Sequence, residues 1–296
     1  MSCILSQNCY GKSSVRVAKV TRHADRHDLK EVSVSIQLTG DFGKVYQHGD
    51  NSPVLPTDTM KNTVYALAQQ HKLETIEEFG LALARHFLDY NTHIACATIE
   101  LSETLWQRLT ISTSNSTAKV HPYAFIGAGN EKWTSLITQD REAVAIQSGL
   151  QHMVLLKTTE SGFSGFLRDP FTTLKETDDR VCATDLQADW LYQNAEADFN
   201  RCRQNIRQAL IEAFAQHYSM SVQHTLYVMG EAALAASPEI SQIHLVMPNK
   251  HYLLFDLERF GIDNQNEIFV PTGEPFGRIE GTLKRVSESV IPNITL

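Results

Sequence analysis

Asn249 and His251 stand two residues apart in MPNKHYLLFDL, residues 247–257. Residues at that spacing in a strand share one face. An amide and an imidazole would therefore project together on the side of Leu253, Phe255 and Leu257, which is predicted to be buried, while Lys250 points the other way. An imidazole can carry a proton near neutral pH, and an amide can both donate and accept hydrogen bonds. Six more residues offer chemistry beside an ordinary structural use. Lys12 opens a strand, where a lysine is usually a solvated edge charge; an ammonium taken out of bulk water gives up its proton more readily. Thr57 and Asp58 stand where a helix needs a cap and a dipole partner, and a capping hydroxyl can also relay a proton. Phe163, in SGFSG, is core filling or an aromatic face for stacking. Arg180 is an ion-pair partner for Asp178 or Asp179, or a planar fork for paired acceptors. Gln223, at a helix start, is a solvated amide or a two-way hydrogen-bonding group.

Other chemistries lack their motifs. No G-x-G-x-x-G follows a strand, since GAGN at 127–130 is too short, and there is no P-loop lysine, G-x-S-x-G elbow or H-E-x-x-H. His23 and His27 have a metal-like spacing, but Asp25 and Asp28 beside them make a solvated turn the better reading. Five scattered cysteines with no C-x-x-C pair fit reduced thiols rather than a disulfide framework or zinc site. With 42% hydrophobic and 20% charged residues in 296, the chain is long enough for two modest domains and too apolar for disorder. Its formal charge of −8, with no basic run, sets aside nucleic acid and anionic membranes as partners. The start lacks the basic and apolar segments of a signal peptide, no apolar run is long enough to span a membrane, and the final IPNITL lacks an S-K-L-type tripeptide. A cytoplasmic location is expected, and the sequons at Asn115 and Asn293 read as chance.

Periodicity supplies the elements that must hold these residues. EVSVSIQLTGD alternates Val32, Val34, Ile36 and Leu38 with Ser33, Ser35, Gln37 and Thr39, a strand with one wet face. GKSSVRVAKVTR is its hairpin partner across HADRHD. Residues 40–56, rich in Gly, Asp, Asn and Pro, read as a loop. TDTMKNTVYALAQQH follows as a helix capped by Thr57 or Asp58, with Val64, Leu67 and Ala68 apolar. TIEEFGLALARHFLDY is a second helix with Thr75 and Glu78 as a capping box. Strands are predicted near 94–106 and, with weak patterning, 119–137. The second half repeats the order. Strands near 150–160 and 180–192 precede the helix DFNRCRQNIRQALIEAFAQHY and another over about 221–235, and three strands end the series: SQIHLVM, 247–257 and GRIEGTLKR. Neighbouring strands without intervening helices imply antiparallel sheets with helices on one face. The fold class is therefore α+β, in two tandem modules of similar plan, residues 1–140 and 141–296.

YGK (10–12), TDTMKNTVY (57–65) and PNKHY (248–252) carry more polar detail than a fold needs. With GFLRDPFTTLKETDDR (165–180) and SVQHTLY (221–227), they resemble the urate oxidases, or uricases, cofactor-free enzymes that oxidise urate with molecular oxygen. The resemblance runs from about Tyr10 to Arg285 and is weak near 91–135 and at both termini. It implies the tunnelling fold, assembled as a homotetramer around a central tunnel lined by the polar sheet face, with active sites at subunit interfaces. It further implies a Lys12–Thr57–His251 proton relay, stacking on Phe163, and a grip on the urate edges by Arg180 and Gln223. Asp58 and Val222, through their backbones, and Leu174 would be further substrate contacts. Asn249, with Thr57, would hold dioxygen or water. No metal or cofactor is implied, and the products would be 5-hydroxyisourate and hydrogen peroxide. Two other readings stay open. Another tunnelling-fold enzyme acting on pterins or purines would need a glutamate anchor or a His/Cys metal cluster, and none stands out. A purine-binding protein without catalysis would have no use for Lys12, Thr57 and His251 together.

Overall fold

The computed structural model describes residues 3–112 and 118–286. The sequons Asn115 and Asn293 and the final IPNITL lie outside these described residues. The chain forms two compact units, Met1–Leu150 with Asn194–Phe199, and Gln151–Gln193 with Asn200–Leu296.

The first unit carries β1 (Tyr10–Arg22), β2 (His27–Gly40), α1 (Gly43–His48), α2 (Thr57–Gln70), α3 (Ile76–Tyr90), β3 (Ile94–Ser112) and β4 (Ala118–Gln139). Strands β1 to β4 pair antiparallel in chain order. The alternation of β2 gives it two unlike faces: Val32, Val34, Ile36 and Leu38 are buried, while Ser33 and Ser35 on the other face are only half-buried. Helix α2 packs on β1, and α3 on β3 and β4. Helix α3 opens as predicted. The Thr75 hydroxyl accepts from Glu78 N at 3.2 Å and donates to the Glu78 carboxylate at 2.8 Å.

Strand β5 (Val144–Lys157) starts in the first unit and ends in the second. The second unit continues with β6 (Cys182–Tyr192), α4 (Phe199–Gln216), α5 (Val222–Ala236), β7 (Ile240–Leu254) and β8 (Phe269–Lys284). Strands β6, β7 and β8 pair antiparallel, and α5 packs on β7 and β8. The α+β class with antiparallel strands and helices on one face is thus the observed architecture.

Several expectations are corrected. The 40–56 loop contains α1, closed by Gly49 in the left-handed conformation (φ 69°), whose N–H bonds to Lys44 O and Val45 O. Neither Thr57 nor Asp58 caps α2. The cap position falls on Pro56, in extended conformation, so Thr57 is already the first helical residue and no side chain caps the helix. SQIHLVM and MPNKHYLL are one strand, β7, because Pro248 interrupts neither its extended path nor its pairing with β8. Leu253 is 55% exposed, so the face it shares with Asn249 and His251 is not core beyond Met247. The weak pattern of β4 also has a cause: register shifts against β3 at Thr104/Trp106 and Arg108/Thr110 reset the alternation.

Candidate active site

The site residues fall into two groups, one in each unit. In the first unit YGK has a use for every residue. The Tyr10 hydroxyl accepts from Leu55 N at 3.0 Å, fixing the approach to Pro56 and Thr57. Its ring meets Phe42 edge-on at 4.8 Å, and burial raises its pKa. Gly11 lies so close to β2 that an added Cβ would stand 1.8 Å from Ile36 O, so only glycine fits. Lys12 follows, opposite Ile36, at the edge of a register shift that spans Lys12 to Val15; within it Ser14 is left-handed (φ 58°) and its N–H bonds to Ser35 Oγ at 3.1 Å. This bulge ends regular pairing just after the lysine.

Thr57 and Asp58, both exposed, begin α2. The Asp58 carboxylate accepts from Lys61 Nζ at 2.5 Å and Asn62 Nδ2 at 3.0 Å. These bonds hold it below the usual carboxylate range, Lys61 contributing most and the Lys12 charge adding to the effect. Asp58 is therefore an anion within reach of the Lys12 field, and its side chain is already engaged inside its own helix.

The second unit holds a cavity of about 470 Å3. Phe163, Leu174, Arg180, Asn249 and His251 all line it, so five of the ten predicted residues converge. Asn249 pairs with Thr184 on β6 and Gly277 on β8, and His251 pairs with Thr272 after a register shift. Their shared face continues that of the buried Leu245 and Met247. At Asn249 and His251 the strand becomes cavity wall, and hydrogen-bonding groups replace aliphatic ones there.

Arg180 is half-buried, and desolvation is the main influence lowering its pKa. The Asp179 carboxylate accepts from Thr159 Oγ1 at 2.8 Å and Asn266 Nδ2 at 3.1 Å, and among the described residues Arg180 forms no ion pair with Asp178 or Asp179. Its Nε is buried with no hydrogen-bond partner. A buried, unsatisfied guanidinium donor is costly unless something fills it. Its Cζ lies 5.3 Å from the centroid of Phe163, and Phe166 stacks on Phe163 at 5.0 Å with a 13° interplanar angle.

Val222 and Gln223 do not line the cavity. They open α5, whose cap is Ser221, with His224 N donating to Ser221 Oγ at 3.1 Å. Val222 is buried and Gln223 exposed. Phe166, Tyr252 and Asn266 were missed. The asparagine-rich DNQNE turn was legible as a turn, and Asn266 takes its left-handed position (φ 61°), but nothing local pointed it at Asp179. A larger cavity of about 630 Å3, in the same unit, is lined by Asp185, Gln187 and Lys250 from the opposite strand faces and holds none of the ten residues. His23 pairs with Asp28 at 2.8 Å, and among the described residues no three His, Cys, Asp or Glu side chains converge as a metal site would need.

Fold and site together define an α+β protein of antiparallel strands with an aromatic-walled cavity that holds a guanidinium whose Nε has no partner among the described residues. Known proteins of this construction supply the family. The uricase family model matches residues 8–138 and 146–280. A uricase of Arthrobacter globiformis is 40% identical over 282 residues, covering 95% of this chain and 90% of that protein. A uricase of Dictyostelium discoideum is 38% identical, covering 95% and 97%. The crystal structure of the Arthrobacter globiformis uricase superposes with a TM-score of 0.91 at 39% identity, covering 99% of each chain. The chain belongs to the uricase family and is an enzyme of that class. No helix among the described residues is long and apolar enough to cross a membrane.

Proposed function

We propose that the enzyme converts urate, dioxygen and water into 5-hydroxyisourate and hydrogen peroxide, as a step of purine breakdown in the cytoplasm. The observation that carries this reading is Arg180: a half-buried guanidinium whose Nε has no partner, in one cavity with Phe163, Asn249 and His251. Urate is a flat anion with adjacent O and N acceptors, and a guanidinium fork meets that pair bidentately. Phe163 supplies the stacking face, Leu174 an apolar wall, and Gln223 with the Val222 backbone the opposite edge of the ring. The Asp58 backbone amide, at the open end of α2, is a further donor.

In this reading Lys12 and Thr57, relayed to His251, take a proton from urate to leave an electron-rich dianion. The dianion gives two electrons to dioxygen, which leaves as hydrogen peroxide after gaining two protons. Water, held by Asn249 and Thr57 and deprotonated by the same relay, then adds its oxygen to the oxidised ring. The substrate is itself the reductant, so the scheme needs no metal or cofactor. Holding the reactants in place supplies much of the rate.

The Lys12–Thr57–Asp58 group belongs to the first unit, and every residue lining the cavity belongs to the second. We therefore take each active site to be completed between copies of a homotetramer, and the two halves of the chain, 1–140 and 141–296, to be a duplicated tunnelling-fold module. The test of the activity is oxygen uptake and peroxide release with urate, using protein stripped of metal and kept with a chelator. Equal molar consumption and release supports it. A folded protein that binds a xanthine yet consumes no oxygen is a binding protein instead, and activity only on added metal defeats the cofactor-free scheme.

A further inference from the structure

Three short segments of the second unit each lead to one proposed urate contact. The middle one, 160–163, ends in Phe163. On one side it bonds to the segment that carries Arg180: Phe163 N donates to Thr177 O at 2.7 Å, Thr177 N returns to Phe163 O at 3.1 Å, and Arg180 N donates to Ser161 O at 2.8 Å. On the other side it bonds to the segment that leads into α5 and Gln223. Ser219 N donates to Glu160 O at 2.9 Å, and Gly162 N donates to Ser219 O at 2.8 Å. Only isolated bridges join them, Phe163 to Thr177 and Ser161 to Ser219, without the repeated ladder that makes a strand pair stiff.

Tyr218 spans all three. It stands beside Ser219, and its hydroxyl crosses the middle segment to donate to Asp178 O at 2.6 Å. On the way it passes over Gly162, where an added Cβ would lie 2.4 Å from the Tyr218 oxygen, 3.0 Å from Thr177 O and 3.2 Å from Asp178 Cα. The bond to Asp178 and the missing side chain at Gly162 therefore depend on each other. Below the bridge, Ser219 Oγ and Thr225 Oγ1 meet at 2.7 Å, and His217 Nε2 reaches the same threonine at 3.1 Å, so Tyr218 projects from an anchored base.

We propose that Tyr218, closing over Gly162, fixes the separation between Arg180 and Gln223, and is a positioning residue for urate. The proposal rests on the uricase reading above. A rigid planar substrate held at two edges tolerates little error in that separation, and a tie across irregular segments is the means of setting it.

The experiment measures steady-state kinetics on urate, xanthine affinity and melting temperature for Tyr218→Phe, Gly162→Ala and the double variant. Tyr218→Phe is expected to raise KM and the xanthine Kd together by about tenfold, with kcat within about twofold and little change in melting temperature. Gly162→Ala is expected to do the same alone and to cost less on top of Tyr218→Phe than it does alone, since its nearest clash is with the hydroxyl already removed and only the backbone contacts at Thr177 O and Asp178 Cα remain. If Gly162→Ala does not fold, the single tyrosine variant decides. An unchanged KM in Tyr218→Phe overturns the proposal, as does a fall in kcat that tracks lost stability. A wild-type protein that neither binds a xanthine nor consumes oxygen with urate fails the uricase reading and the proposal with it. Wild-type activity with an unaltered variant KM fails the proposal alone.

Discussion

The two proposed half-sites are built in opposite ways. Lys12 and Thr57 sit on regular structure, a bulged strand and the first turn of a helix, tied together by the Tyr10–Leu55 bond. Phe163 and Arg180 sit on irregular chain between β5 and β6, held by isolated bridges and cross-ties. The difference follows the work proposed for each. Proton transfer needs donor and acceptor within hydrogen-bond reach, and regular elements keep such a geometry best. Enclosing a flat ring needs a wall that wraps it, which no straight strand or helix provides, so loops are used and then clamped.

That contrast can be broken by mutation. Lys12→Met should cut kcat by about a hundredfold or more while leaving xanthine affinity nearly unchanged; equal loss of both would move Lys12 into the binding half. Arg180→Lys keeps the charge but loses the fork, and should weaken xanthine binding by a factor of tens with a smaller effect on kcat. Titration calorimetry with xanthine checks this, and unaltered affinity would remove Arg180 from the slot. Gly11→Ala must part β1 from β2 at Ile36. It should cost about 1–3 kcal/mol of stability and lower kcat more than it raises KM, read from thermal melts and kinetics. A variant with wild-type melting and kinetics would contradict the close approach.

The smallest effect concerns acid. Burial chiefly holds the His217 imidazole below its ordinary value, outweighing the Ala213 carbonyl that its Nδ1 meets at 2.6 Å; Lys157 and His224 push the same way as burial. With the folded value depressed, the unfolded chain takes up the proton first. The stabilisation is thus complete above about pH 6.5 and is lost as pH falls towards the folded value. Melting temperature should decline below that pH, less steeply in His217→Asn. Parallel slopes would show that His217 plays no part.

What the sequence revealed follows the range of the interactions. The Thr75–Glu78 box, the Ser221 turn into α5 and the shared face of Asn249 and His251 depend on neighbours a few residues apart, and all are legible in one pass along the chain. The ten candidate site residues were legible as a set only because several motifs in order resemble a family; five of them do converge in one cavity. Pro56 displaced the expected cap because proline in an extended conformation is itself a helix lead-in, a signal outranked by the nearby Thr and Asp. The ties from Tyr10 to Leu55, from Asn266 to Asp179 and from Tyr218 to Asp178 join residues 40 or more positions apart, and a hydrogen bond at that separation leaves no periodic trace.

If one chain carries two halves of an active site, each completed by another copy, then two chains with different defects can restore one another. Lys12→Met and Arg180→Ala chains, each inactive alone, are co-expressed and urate oxidation is measured in the mixed oligomer. Random assembly places an unmutated Lys12 half against an unmutated Arg180 half in about a quarter of sites. Recovery of about that fraction of wild-type activity is expected. Mixed oligomers as inactive as either parent would contradict it, because every site would then draw both halves from a single chain.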